Sequence, residues 1–338
     1  MAAPVVLGDK LVSPPTDGIS GVKFSIYSDL LIASSWDKTV RLYDGAQNIA
    51  RGVIEQQAPV LDICLQDDTC GFSGSLDGQV KRLSFQDLSS SPLGYHQTAV
   101  RCIQFLPSRG LVLTGSWDST VRAWDPRAPP QQVCASVINL PGKVYTMSCT
   151  NSHLVVGTSE RHVLIFDLRK LVPGGPPPQP DQIRESSLKF QTRSISCFND
   201  GSGYALGSVE GRVAMEYIDQ GPEAQANKYA FKCHRRQENG NDVAYPVHAI
   251  AFHPGYGTFA TGGGDGVINF WDGANKKRLF QIDRYPNTVS ALSFSRDGSM
   301  LAVASSYTHE RGDVQHAGDD IFVRRMQDVE VRPKQRKQ

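Results

Sequence analysis

Three stretches of the chain nearly repeat one another: SSWDKTVRLYD (34–44), GSWDSTVRAWD (115–125) and GGGDGVINFWD (262–272). Each joins a Ser/Gly–Asp turn to a segment in which apolar and polar residues alternate, ending in an aromatic–Asp pair. Alternation is the β-strand period, and Gly, Ser and Asp mark chain reversals. Weaker copies follow in GSLDGQVKRLS (74–84), GTSERHVLIFD (157–167) and GSVEGRVAMEY (207–217). A seventh, DDIFVRRM (319–326), is parted from its start ASSY (304–307) by a polar insert. The shared apolar position is Val40, Val80, Val121, Val163, Val213, Ile268 and Ile321, in steps of 40, 41, 42, 50, 55 and 53 residues. A period near 40 is the length of one four-stranded propeller blade. The longer steps hold insertions: VPGGPPPQP (172–180), the segment between Asp219 and Tyr245, and Thr308 to Asp319.

A second pattern, apolar at i, i+3 and i+5, precedes the copies. It reads Ile19/Val22/Phe24, Val60/Ile63/Leu65, Val100/Ile103/Phe105, Val144/Met147/Cys149, Val247/Ile250/Phe252 and Val289/Leu292/Phe294. These patterns predict an all-β, seven-bladed propeller, since a blade that cannot bury both faces alone must stack on its neighbours around a ring. Residues Val5 to Val12 are expected to supply the outer strand of the last blade, which closes the ring and hides two sheet edges. Residues 1–329 then form one domain. The stretch 330–338, ending in RPKQRKQ, reads as a basic, disordered tail.

Composition removes several classes of function. In 338 residues, 35 Lys and Arg face 34 Asp and Glu, a net charge of +1, so a basic coat for nucleic acid is excluded and no direct nucleic-acid contact is expected. Hydrophobic residues at 40% support a sizeable core, and charged residues at 20% do not fit a disordered chain or coiled coil. No run of 18 apolar residues occurs, so no membrane span is expected, and Met1 to Lys10 lacks the pattern of a signal peptide. The seven cysteines are odd in number, widely spaced and without C-x-x-C. They read as small buried hydrophobes in a reducing compartment, cytosol or nucleus. There is no G-x-S-x-G, phosphate loop, H-E-x-x-H or calcium loop. A non-enzyme without cofactor or metal is expected.

The pairs Trp124-Asp125 and Trp271-Asp272, with Tyr43-Asp44 and Phe166-Asp167 as softer versions, resemble the signature of the WD-repeat family. That resemblance implies a structural hydrogen-bond network of His96, Ser116, Asp118 and Trp124. The family's Gly-His pair is nearly absent elsewhere, so the other blades are expected to hold their turns by different means.

Functional residues are sought where the repeat breaks. Aligning Phe198 with Phe24 puts Arg193 at the apolar Ile19 position. A charge there is costly unless paired, so Arg193 snorkels, pairs internally with Glu210 or meets a partner. Arg212, beside Val213, stands where other copies have Thr39, Gln79, Thr120, His162 and Val267. The segment KYAFKCHR (228–235) brings Lys232, His234 and Arg235 to the same rim. Several basic groups in one sector suit an acidic or phosphorylated peptide. Trp36 and Trp117 lie in turns, where each either caps its blade or offers apolar area to a peptide.

At RESSLKFQTR (184–193), EGRVAMEY (210–217), KYAFKCHR (228–235), YPVHAIAFHPGYGTFATGG (245–263) and NKKRL (275–279) the chain resembles a narrower group. This is the spindle-checkpoint propeller family, third of the budding-uninhibited-by-benzimidazole series. The resemblance implies a non-enzymatic adaptor. It would bind GLEBS-motif segments of a checkpoint kinase and its kinase-like relative, then dock on phosphorylated Met-Glu-Leu-Thr repeats of a kinetochore scaffold. The anaphase-promoting complex would be an indirect partner. Arg212 and Lys232 would hold the phosphothreonine; Trp36, Trp117, Arg193, His234 and Arg235 would meet the GLEBS segment. Nucleus, cytoplasm and mitotic kinetochore are the implied locations. The mRNA-export propellers that bind a nuclear-pore GLEBS motif share EGRVA and FKCHR and are the nearest alternative. A ubiquitin-ligase substrate receptor is a third.

Overall fold

The computed structural model describes residues 6–334. Seven four-stranded antiparallel sheets follow one another around the ring, each with its strands in chain order from the inside out. The seventh blade takes its outer strand from the other end of the chain: Asp9 and Lys10 pair with Val323 and Phe322. Leu11 continues that ladder through its amide to the Ile321 carbonyl (2.8 Å) and is 1% exposed. Of the closing segment expected at 5–12, Val5 lies outside the described residues.

The second strand of each blade is the most deeply buried; Leu30–Ser35, Leu111–Ser116, Gly203–Ser208 and Met300–Ser305 are buried throughout. The core lies between blades. One cluster joins Leu113 and Val121 of blade 3 to Val144, Val156 and Leu164 of blade 4. The glycine that opens several repeats has its reason in this packing. A Cβ on Gly74, Gly115 or Gly262 would come within 2.3–2.6 Å of the first valine of the next blade (Val100, Val144, Val289). A side chain there would force the blades apart, an overpacking cost of about 1–3 kcal/mol.

Each innermost strand carries a β-bulge at its second residue, and this fixes the register of the fifth repeat. The bulges fall between Ile19/Gly21, Val60/Asp62, Val100/Cys102, Val144/Thr146, Thr192/Ser194, Val247/Ala249 and Val289/Ala291. Thr192, not Arg193, therefore stands at the Ile19 position, and Cys197, not Phe198, matches Phe24. The expected alignment slips by one residue because Phe198 is drawn to the aromatic position. It packs instead at the strand end, against Tyr217 and Phe252.

The insert after Asp219 folds as a short helix (Pro222–Ala226), the outer strand of blade 5 (Tyr229–Lys232) and a hairpin (Arg235–Glu238, Asn241–Ala244). At the C-terminus the folded body passes the boundary drawn at 329. Asp328–Val331 is helical, and buried Glu330 accepts two 2.6 Å bonds from the Arg324 guanidinium. Residues 335–338 of the basic stretch lie outside the described residues. All seven cysteines are free, but Cys134 is exposed, unlike the buried cysteines expected.

Candidate functional site

One face of the ring carries the turns between second and third strands together with the starts of the innermost strands. A repeated backbone bond ties the two, as in Trp36 N to Gly18 O (2.8 Å), Trp117 N to Ala99 O (3.0 Å) and Val209 N to Gln191 O (3.1 Å). The expected peptide-contact residues are spread over several blades rather than gathered in one cluster, with Trp36, Trp117 and Arg212 in or beside these turns and Arg193 at the start of an innermost strand.

In blade 3 the turn is locked from below. Trp124 Nε1–H donates to Thr114 Oγ1 (2.7 Å); that hydroxyl lies 2.7 Å from His96 Nε2; His96 Nδ1 lies 3.0 Å from Asp118. Burial pushes the His96 imidazole down to about 4, so it is neutral, donating from Nδ1 to the carboxylate and accepting at Nε2. Thr114 thus takes the place expected of Ser116, whose hydroxyl instead accepts the Asp118 amide (3.0 Å).

His234 is fully buried in a second network of the same kind. Its Nδ1 lies 2.9 Å from Asp265 and its Nε2 2.9 Å from Thr261, which accepts from Trp271 Nε1 (3.0 Å). A peptide on the face cannot reach it, so the expected contact role is corrected to a structural one. The hairpin 235–244 hides this match in the sequence: His and Thr are 27 apart here against 18 in blade 3.

Arg212 and Lys232 face each other across the outer ladder of blade 5. Lys232 is exposed; Arg212 is half-buried with its Nε buried and unpartnered. Among the described residues neither side chain makes an ion pair. Arg235 differs: its guanidinium donates to Asp242 (3.0 Å) and to the Glu210 carbonyl (3.2 Å), which ties it to its own hairpin. Arg193 does not pair with Glu210. As a bulge residue it turns to the channel mouth, where its Nε donates to His248 Nδ1 (3.1 Å). Burial, then the charge of Arg101, pulls its pKa down to about 10.

Trp36 is 42% exposed. Trp117 is half-buried, and its indole Nε1–H is buried without an acceptor among the described residues. Phe190, 56% exposed in the loop entering blade 5, is a further aromatic of this face that no break in the repeat points to. The described residues hold no group of three or more His, Cys, Asp or Glu side chains able to bind a metal ion, and no helix is long and apolar enough to cross a membrane.

The closed ring and its two His–Asp–Thr–Trp networks define a WD-repeat propeller, and residues 10–44, 89–125 and 231–272 match the family model "WD domain, G-beta repeat". Among curated proteins, the chain is 53% identical to "Mitotic checkpoint protein BUB3.1" of Arabidopsis thaliana, over 97% of this chain and 95% of that one. It is 45% identical to "Mitotic checkpoint protein bub3" of Dictyostelium discoideum, over 92% of each. It is also 39% identical to "Poly(A)+ RNA export protein" of Schizosaccharomyces pombe, over 90% of this chain and 85% of that one. The chain belongs to the BUB3 family of WD-repeat mitotic checkpoint proteins.

Proposed function

We propose that this chain is a non-enzymatic spindle-checkpoint adaptor. It binds GLEBS-motif segments of a checkpoint kinase and its kinase-like relative, and docks them on phosphorylated Met-Glu-Leu-Thr repeats of a kinetochore scaffold. The anaphase-promoting complex is then reached indirectly. The protein works from nucleus and cytoplasm and gathers at kinetochores in mitosis. The observation that carries this reading is the Arg212–Lys232 pair: two cations side by side, with no carboxylate paired to either among the described residues, on a face that also presents Trp36 and Trp117. Two unneutralised cations suit a phosphate, which brings about −1.5 to −2 charge and three acceptor oxygens. Arginine grips two oxygens in fixed geometry and lysine adds a mobile charge. Trp36, Trp117 and Arg193 supply the GLEBS contacts.

The deciding experiment is isothermal titration of wild type and Arg212→Glu/Lys232→Glu with phosphorylated Met-Glu-Leu-Thr and GLEBS peptides. A charge-assisted hydrogen bond is worth about 1.5–3 kcal/mol, so each single change weakens phosphopeptide binding at least about tenfold. The double reversal abolishes it while GLEBS binding suffers less. Equal affinity of double mutant and wild type for the phosphopeptide defeats the proposal. A second reading, mRNA export through a nuclear-pore GLEBS motif, is supported by one comparison. Within S. pombe, the RNA-export protein is 39% identical to this chain and the protein named spindle assembly checkpoint protein bub3 36%. Partners recovered from mitotic cells separate the two.

A further inference from the structure

The blade-7 insert turns toward the channel mouth. Glu310 accepts from His248 Nε2 at 2.5 Å and from the Thr308 hydroxyl, while His248 Nδ1 accepts from Arg193. A neutral imidazole fits this relay, with one nitrogen donating and the other accepting, and burial holds the His248 pKa below its ordinary value. Glu310 is pushed down to about 2: burial raises it, but the hydrogen bonds from His248 and Thr308 outweigh that.

Around this relay the mouth is lopsided. The bulge residues of blades 3 to 6 are Arg101, Tyr145, Arg193 and His248, while blades 7, 1 and 2 present Ser290, Ser20 and Leu61. Arg101 makes no side-chain hydrogen bond or ion pair among the described residues. The insert itself is exposed from His309 to Gly318. Besides the Glu310 contacts, its anchors include bonds from Asn287 Nδ2 to the Ala317 and Gly318 carbonyls (2.7 and 3.0 Å) and from Ser306 Oγ to Asp319 (2.7 Å). Between it and the blade-5/6 hairpin lies a groove of about 720 Å³, lined by Tyr245, Pro246, Tyr307, Glu310 and Arg311 among others.

We propose that this insert is a latch: Glu310 fills the carboxylate position at the channel mouth in the free protein, and an acidic residue of a bound peptide takes its place. The exchange swaps one carboxylate for another on the Arg193–His248 pair, so no charge is left buried and unpaired, the condition under which a buried site can change occupant at low cost. Glu310 thereby competes with the peptide and lowers its affinity until displaced. This rests on the peptide-binding reading above, and the test separates the two.

The first measurement uses the free protein and trypsin, following cleavage after Arg311 by mass spectrometry. Glu310→Ala, which removes the latch contact, speeds that cleavage several-fold over wild type; an unchanged rate overturns the latch. The second uses titration with a GLEBS peptide and a version with its Glu and Asp replaced by Gln and Asn. Glu310→Ala binds the acidic peptide several-fold more tightly than wild type does and gains nothing with the neutral one. Saturating acidic peptide also speeds Arg311 cleavage in wild type. Equal or weaker binding of the acidic peptide by Glu310→Ala overturns the competition. Binding of neither peptide by wild type removes the peptide-binding reading and the competition with it, and the cleavage comparison still decides the latch.

Discussion

Blades 3 and 5 use the same five positions of the repeat in opposite ways. Blade 3 places His96, Thr114, Asp118, Thr120 and Trp124 there, and their polar groups satisfy one another. In blade 5 the same positions hold Ser186, Leu206, Glu210, Arg212 and Glu216. Leucine removes the hydroxyl at the centre of the network. Glu216, buried, pairs instead with Lys228 (3.0 Å) and Arg184 (3.9 Å), and Glu210 lies 3.8 Å from Arg235. Arg212 is left over, opposite Lys232. A repeat that abandons its internal hydrogen bonds releases donors, and released donors on an exposed face are what a ligand can use. Blade 3 turns these positions to stability; in the function proposed above, blade 5 keeps them for binding.

The largest expected effect tests the stability side. His96→Ala removes one buried hydrogen bond each from Asp118 and Thr114 and leaves a cavity, costing about 3 kcal/mol, whereas Ser186→Ala, which loses the bond accepted from the Leu188 amide, costs about 1 kcal/mol or less. Chemical denaturation of the two variants decides it; equal losses break the contrast. Acid makes the same point. In the fold His96 stays neutral down to about 4, against an ordinary value of 6.5, because it is buried. The unfolded chain therefore takes up a proton first, and stability is lost as pH falls from 6.5 to 4. Asp118 is held below its ordinary 3.8 because hydrogen bonds from Thr120 and Gln97 and the contact with His96 outweigh burial, so it extends the loss to lower pH. His96→Asn flattens the upper part of that profile; an unchanged profile means that other groups set it.

The next effect, about 2 kcal/mol, tests the binding side away from blade 5. Trp36→Ala and Trp117→Ala each weaken GLEBS binding by about that amount, typical of a truncated hot-spot aromatic, with the melting temperature nearly unchanged. Trp36, 42% exposed, has little packing to lose. Trp117 sharpens the test, since its buried Nε1–H has no acceptor among the described residues. If both variants melt early and the folded remainder binds normally, the tryptophans cap their blades.

Much of this was legible in the sequence, for a physical reason in each case. The blade count follows from a period near 40 carried by alternating strands, and closure by the N-terminal strand from the shortage of strands after Met326. Arg212 stood out because a long cation replaced small or uncharged residues at a repeated position. Thr192 did not, because its hydroxyl is hidden at an apolar position and the neighbouring Phe198 offered a better-looking match one residue out of register. His234 reads as a surface cation because nine extra residues separate it from the Asp and Thr it serves. Arg101, His248 and Glu310 gave no signal: their meeting depends on bulges and an insert whose path no periodicity sets.

The smallest effect is the most informative about blade 5. Lys232 lies directly across the ladder from Arg212, and like charges so placed destabilise a strand pair by roughly 0.2–1 kcal/mol. Among the described residues no carboxylate forms an ion pair with either, while exposure of Lys232 lets solvent and salt screen the repulsion. Lys232→Gln, which keeps length and strand fit but removes the charge, should therefore stabilise the free protein by a few tenths of a kcal/mol while weakening phosphopeptide binding. The gain should shrink as salt rises toward 1 M, where the Debye length falls to about 3 Å. Denaturation of wild type and variant at low and high salt, beside a titration with phosphopeptide, measures both sides. A loss of stability on Lys232→Gln would mean that the lysine makes a stabilising contact in the free protein, and blade 5 would then be satisfied in its own way rather than held open for a ligand.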